Sequence, residues 1–288
     1  MKKNILTAFI ITAIGATLLV GCGQAEDRKV TEDTTQVVEE KAESTEETVK
    51  ETEIEPENVE DKTEEIDTAL NGADLVVPED NGYSYQVSSR WSTDFDGEVV
   101  EGLCVKVVKF DGTKYYAETI EGSDKGSIEF CDITDGYFKY HTVYEGEDWG
   151  WDSSSYGDSK SYEDIKERDN IYFENLKDNN WNYVSEEDGN FIYSSSNGKS
   201  IQNDTFVEGS YVRERYYDVE QTIYINAETK ELIKLIEKFK LENPSYNYDN
   251  STGDITGIDK TFIYDYYNEY EISDIGNTTV EAPEGMPE

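Results

Sequence analysis

Positive charge is what this chain lacks most. It has 25 Lys and Arg against 65 Asp and Glu in 288 residues, a formal net charge of −40. A surface of that sign repels phosphate backbones and anionic headgroups, which argues against nucleic acid as a partner and against docking on a membrane through the protein's own face. Cysteine is scarce as well. Cys22, Cys104 and Cys131 have no zinc-site spacing, and the lone histidine, His141, has no nucleophile and orienter beside it in sequence. A structural histidine, no cofactor and no enzymatic activity are therefore expected. The longest apolar run, Ile5 to Val20, has sixteen residues and is short for a membrane span. No repeat of the length used by solenoids or propellers is visible.

What is present begins at the N-terminus. Lys2 and Lys3 followed by that short apolar run have the charged and hydrophobic regions of a secretory signal. The run ends in Leu19-Val20-Gly21-Cys22, which resembles a bacterial lipobox. The resemblance implies cleavage after Gly21, a signal peptide over residues 1–21, and a diacylglycerol thioether and acyl chain on Cys22. A single acyl chain anchors only marginally, so a lasting hold needs more than one. An extracytoplasmic protein held to the cell membrane through its N-terminal lipid is the expectation.

Residues 23–80 carry 21 acidic against 5 basic side chains and no aromatic ring. Such a segment buries too little apolar surface to offset its ordering entropy, and residues 22–80 read as a lipidated N-terminus running into a disordered acidic tether. All 22 tyrosines and all 4 tryptophans follow residue 80. Residues 81–288, with a net charge of −26, read as one folded domain.

Within that domain, strands are expected at 83–92, 99–110, 114–120, 127–134 and 137–144, separated by Asp96-Gly97, Asp111-Gly112, Glu121-Gly122 and Asp135-Gly136. Asp-Gly turns between β-rich runs are the strongest short-range hairpin signal. A polar loop over 145–160 leads to Ser161-Tyr-Glu-Asp164, a helix-capping pattern. Ile165, Tyr172, Phe173 and Leu176 then fall on one helical face and predict a helix over about 162–178. Further strands are expected at 182–185, 190–193, 213–226, 231–241 and 258–270. The segment 231–241 fits both periods and is read as strand with helix as the alternative. The fold class is α+β: a curved antiparallel sheet with one main helix packed on it, preceded by the tether.

Tyr224-Ile-Asn-Ala-Glu-Thr-Lys-Glu-Leu-Ile-Lys234, the later Tyr264-Asp-Tyr-Tyr strand and the closing Val280-Glu-Ala-Pro283-Glu are similar to the final hairpins of LolA-like and LppX-like half-barrel lipoproteins. That resemblance implies a sheet wrapping helices and sheltering a hydrophobic or amphipathic ligand. Strand residues Ile223, Ile225, Ile233, Leu235, Phe262 and Tyr264 would line the cavity, and Ile165, Tyr172 and Leu176 would close it. The alternative is an envelope interaction module that recognises cell-wall glycan or a protein partner through aromatic loops, with Trp149 and Trp151 as the exposed candidates. Asp94-Phe-Asp96-Gly97 and the run from Asp249 to Asp254 are oxygen-rich, yet neither completes a calcium loop, and solvated turns are expected. Cys104 and Cys131 read as buried thiols, with a bridge the alternative that export permits.

Overall fold

Two-residue turns with both residues left-handed set most of the short hairpins. The structure, a computed structural model, describes residues 70–153, 159–206, 213–248 and 255–287. Asp96-Gly97, with φ of 57° and 92°, joins β1 (Tyr83–Phe95) to β2 (Glu98–Phe110). Glu145-Gly146 joins β5 (Phe138–Tyr144) to β6 (Glu147–Ser153), and Asp188-Gly189 joins β7 (Asn182–Glu187) to β8 (Asn190–Ser196), in the same way. This geometry matches the twist of antiparallel strands and needs glycine or a short polar residue at positive φ. Between these hairpins lie β3 (Lys114–Glu121) and β4 (Ile128–Asp132). Asp111 Oδ1 accepts from the Thr113 and Lys114 amides at the β2–β3 turn.

The C-terminal part supplies β9 (Thr205–Phe206), β10 (Arg213–Asn226), β11 (Leu232–Tyr248) and β12 (Ile255–Ser273). The ambiguous segment 231–241 is thus strand. Eleven strands follow the order β6-β5-β4-β3-β2-β1-β12-β11-β10-β8-β7, with β9 pairing β10 off that path. Every pairing between the named strands is antiparallel. β1 pairs with β12 from Ser84–Ser273 to Thr93–Tyr264, which joins the N-terminal and C-terminal meanders into one open sheet. Pro244 sits in β11 opposite Thr261 of β12 and beyond Glu242, the last described position paired with β10, so it lies on a part of the strand that has a ladder partner on one side.

The expected α+β class with one main helix is overturned, because the domain is predominantly β. Helix α1 covers only Tyr162–Asp169, and a separate 3₁₀ turn covers Phe173–Asp178. The Ser161 cap forms as read, its hydroxyl accepting from the Asp164 amide at 3.2 Å. Asn170 then takes a left-handed conformation, φ 51°, and ends the helix. The Tyr172 amide donates instead to the Ile201 carbonyl at 2.6 Å, so the helical spacing of the apolar residues spans two short pieces. The polar loop expected over 145–160 is likewise corrected, since 147–153 is strand β6 and carries both Trp149 and Trp151.

The signal segment, Gly21, Cys22 and the tether up to residue 69 lie outside the described residues. Residues 70–80, read above as part of the tether, pack on the fold. Leu75 and Val77 are each 2% exposed and belong to the main core. The Val76 amide donates to Lys230, and the Leu232 amide donates to Val76, so this strap is hydrogen-bonded to the start of β11.

Candidate functional site

Period-two alternation gives the sheet an inner face that carries α1 and the 3₁₀ turn. From β1 this face receives Tyr83, Tyr85, Val87, Ser89, Trp91, Thr93 and Phe95. Opposite them on β12 stand Ile272, Tyr270, Asn268, Tyr266 and Tyr264. It divides into three zones.

The first zone is a closed core. Ile223, Ile225 and Leu235 are 0% exposed and pack with Ile165, Phe173, Leu176, Tyr85 and Tyr270 in one cluster. Interiors of this kind pack like organic crystals. Three of the residues read as cavity lining are therefore part of the filled core under the helix. Ile233 is half-buried. A bulge between Tyr224–Lys234 and Ile225–Leu232 gives its inward place to Leu232, which is 1% exposed.

The second zone is a polar seam. Ser89 Oγ donates to Asn268 Oδ1 at 2.7 Å, and Gln221 Nε2 donates to Glu237 Oε1 at 2.8 Å. The Ile201 amide donates to the same Glu237 oxygen at 3.1 Å, and Asn179 Nδ2 donates to Gln221 Oε1 at 2.7 Å. The Ile201 bond, with the Lys199 carbonyl accepting from Asn179 Nδ2 and Gln221 Nε2, holds the 197–203 connection on the sheet. Gly198 permits that approach, since a Cβ there would stand 2.7 Å from Gln221 Oε1. Glu237 is wholly buried and its Oε2 has no hydrogen-bond partner. Burial outweighs its hydrogen bonds from Gln221 and Ile201 and pushes its carboxyl up to about 7. Burial alone pushes Glu214 up to about 7. It does the same to Asp169 under α1, where Arg168 pulls the other way. The sequence carries a signal for this seam in polar residues at inward-facing strand positions. Glu237 lies at the inward period between Leu235 and Phe239, and Asn268 between Tyr266 and Tyr270.

The third zone, past the seam, is an aromatic shelf on β1, β12, β11 and β10. Phe239, Leu241, Tyr266 and Val219 form a second buried cluster with Trp91, Tyr216 and Tyr264 packed at its margin. Trp91 meets Tyr264 edge-on at 5.6 Å and leans over Gly102, whose hydrogen leaves room for the indole. At the outer end Phe95, 52% exposed, stacks on Phe262 with ring planes 2° apart, and Lys260 Nζ lies 5.2 and 4.9 Å from the two ring centres. Phe262 and Tyr264 are thus brought together on an open surface.

Trp149, 67% exposed, and Trp151, half-buried against His141 at 5.3 Å, lie apart from this shelf on end strand β6. His141 Nε2 lies 3.1 Å from Asp148 Oδ1, and its Nδ1 lies 3.4 Å from the Gly126 carbonyl oxygen, so the ring sits between two acceptors of its own part of the sheet. Asp94 Oδ1 accepts from the Gly97 amide, a turn-closing bond, while the 249–254 run lies outside the described residues. Cys104 and Cys131 are buried thiols with no disulfide between them, and burial pushes the Cys131 thiol up to about 12. Among the described residues no three His, Cys, Asp or Glu side chains converge as a metal site.

No family model and no curated protein matches this chain. Among solved structures it is similar to a LolA superfamily protein from Nitrosomonas europaea, at 14% identity and a TM-score of 0.27, over 74% of this chain and 93% of that one. A domain described as an outer membrane lipoprotein-sorting protein from Vibrio parahaemolyticus matches at 11% identity and a TM-score of 0.20, over 66% of this chain and 83% of that one. A DUF1329 family protein from Desulfovibrio piger matches at 13% identity and a TM-score of 0.20, over 66% and 84% of the two chains. Superposition that loose carries no functional weight.

Proposed function

We propose that this protein is an extracytoplasmic, lipid-anchored, non-enzymatic binding module whose hydrophobic or amphipathic ligand seats on the aromatic shelf past the polar seam. The observation that carries the reading is the half-open ring cluster of Trp91, Phe95, Phe262 and Tyr264 beside buried Phe239 and Leu241. The part of these rings still in contact with water gains about 25 cal/mol per Å² on burial, so a covering apolar ligand has a driving force there. Lys260 at the rim offers a cation to a polar head, although Asp96 already holds it at 2.6 Å.

The full chain titrated with a fluorescent fatty acid or lysolipid is expected to show saturable binding. Joint Phe95→Ala and Tyr264→Ala replacement is expected to weaken that binding by at least about tenfold, or 1.4 kcal/mol. Absence of saturation, or affinity indifferent to both replacements, sinks the proposal. A second reading, recognition of cell-wall glycan or an envelope protein, is favoured by the exposure of Trp149 on the unpaired edge of β6. Trp149→Ala separates the two readings, since only the second loses binding with it.

The anchor is tested by Cys22→Ser. The variant is expected to leave the membrane fraction for the medium, or to persist as an uncleaved precursor. A cleaved variant still in the membrane fraction counts against lipidation.

A further inference from the structure

The outer face of the sheet carries a groove of about 580 Å³ over β2, β1 and β12. Its walls are Arg90 and Ser92 of β1, Glu101 and Leu103 of β2, and Asp265 and Tyr267 of β12, and Trp91, Gly102 and Tyr266 between them line its floor. The register explains the depression. Ser92 stands between Glu101 and Asp265 across the three strands, and its short side chain leaves a gap between two long acidic ones. In the next row Arg90 stands between Leu103 and Tyr267. The volume falls within the range of about 300–1,000 Å³ typical of small-ligand sites.

The charges have an uncommon arrangement for a domain this acidic. Among the described residues no ion pair joins the Arg90 guanidinium to Glu101 or Asp265, although all three line one groove. Diagonal neighbours on paired strands stand about 7–8 Å apart along the backbone, within reach of long side chains, so the three charged arms can close on one ligand seated in the gap. One cation one register row from two carboxylates complements a ligand with a carboxylate at one end and an ammonium at the other. The termini of an extended dipeptide are about 7 Å apart at 3.3–3.6 Å per residue, whereas those of a single amino acid are much closer.

We propose that this groove binds the zwitterionic termini of a short peptide. The terminal carboxylate takes two parallel hydrogen bonds from Arg90, a geometry suited to guanidinium. The ammonium sits over Ser92 between Glu101 and Asp265, and an apolar side chain lies against Leu103 and Tyr267. Trp91 and Tyr266 are shared with the aromatic shelf, but Arg90, Glu101 and Asp265 are not, so variants at these three test the groove separately from Phe95 and Tyr264.

Calorimetric titration of the full chain with leucyl-tyrosine tests it. Saturable binding is expected. The carboxamide and the N-acetyl forms are each expected to bind at least about tenfold more weakly, and free tyrosine more weakly than the dipeptide. Arg90→Ala is expected to abolish discrimination between the free acid and the carboxamide, and Glu101→Gln with Asp265→Asn to abolish discrimination between the free and acetylated amine. All these side chains lie at the surface, so unchanged thermal midpoints confirm folded variants. No saturation up to about 10 mM overturns the proposal, as does equal affinity for the free and blocked peptides.

Discussion

Thermal stability of the domain is expected to fall as pH rises from about 5 to about 8, the reverse of what paired surface carboxylates produce. Glu237 is the clearest source. It is wholly buried, one of its oxygens is unpartnered, and burial moves its carboxyl from the ordinary 4.5 up to about 7. A carboxyl raised in the folded state binds its proton more tightly there than in the unfolded chain. The stability it contributes is therefore complete below pH 4.5 and is lost as pH climbs through about 7. A shift of that size corresponds to about 3 kcal/mol, or about 10 °C in midpoint for a domain of this length. Glu214 and Asp169, each also raised to about 7, act with the same sign. Glu237→Gln keeps an oxygen for the Gln221 and Ile201 donors and removes the proton. The variant is expected to match the wild type near pH 5 and to exceed it at pH 8. A wild-type midpoint that does not change over this range, or an equal slope in the variant, contradicts the assignment.

Leu75→Ala is expected to cost about 2–5 kcal/mol, as large-to-small changes at closed core sites do. Leu75 is 2% exposed inside the main cluster, and its neighbour Val76 exchanges backbone hydrogen bonds with Lys230 and Leu232. Denaturant unfolding at fixed pH measures the loss. Deletion of residues 30–68 is expected to leave the midpoint unchanged, because that acidic stretch has too little apolar surface to contribute a core. The two variants together locate where the tether ends. A stable Leu75→Ala protein, or a strongly destabilised deletion, places that boundary elsewhere.

How much of the fold was legible depends on the range of the interactions concerned. Asp96-Gly97 and Asp188-Gly189 announce hairpins, because a left-handed pair of residues is a local requirement that few side chains meet. Ser161 and Asp164 announce a helix start for the same kind of reason. Glu145-Gly146 makes the same left-handed turn with a residue that does not advertise it, so β6 read as loop and its tryptophans as loop residues. Leu75 and Val77 were hidden by the average composition of the acidic segment around them. Asn170 in a left-handed cap ended a helix that apolar spacing alone would have carried through to residue 178.

By itself the sequence determined the antiparallel character of the domain, the two-residue alternation of its strands away from bulges, and the sign of the charge the surface presents. All three follow from period-two alternation, turn chemistry and composition, which act within a few residues. Only the tertiary structure decided that β1 pairs with β12, and that pairing decides most of the rest. It aligns Ser89 with Asn268, so that a polar seam crosses the inner face. It sets Trp91 beside Tyr264 on the open shelf, and it brings Arg90 and Ser92 beside Asp265 on the outer face. Register between strands about 180 residues apart is chosen by the packing of both faces at once, in which a one-residue slip turns every side chain to the wrong side. No local stretch of the chain contains that information.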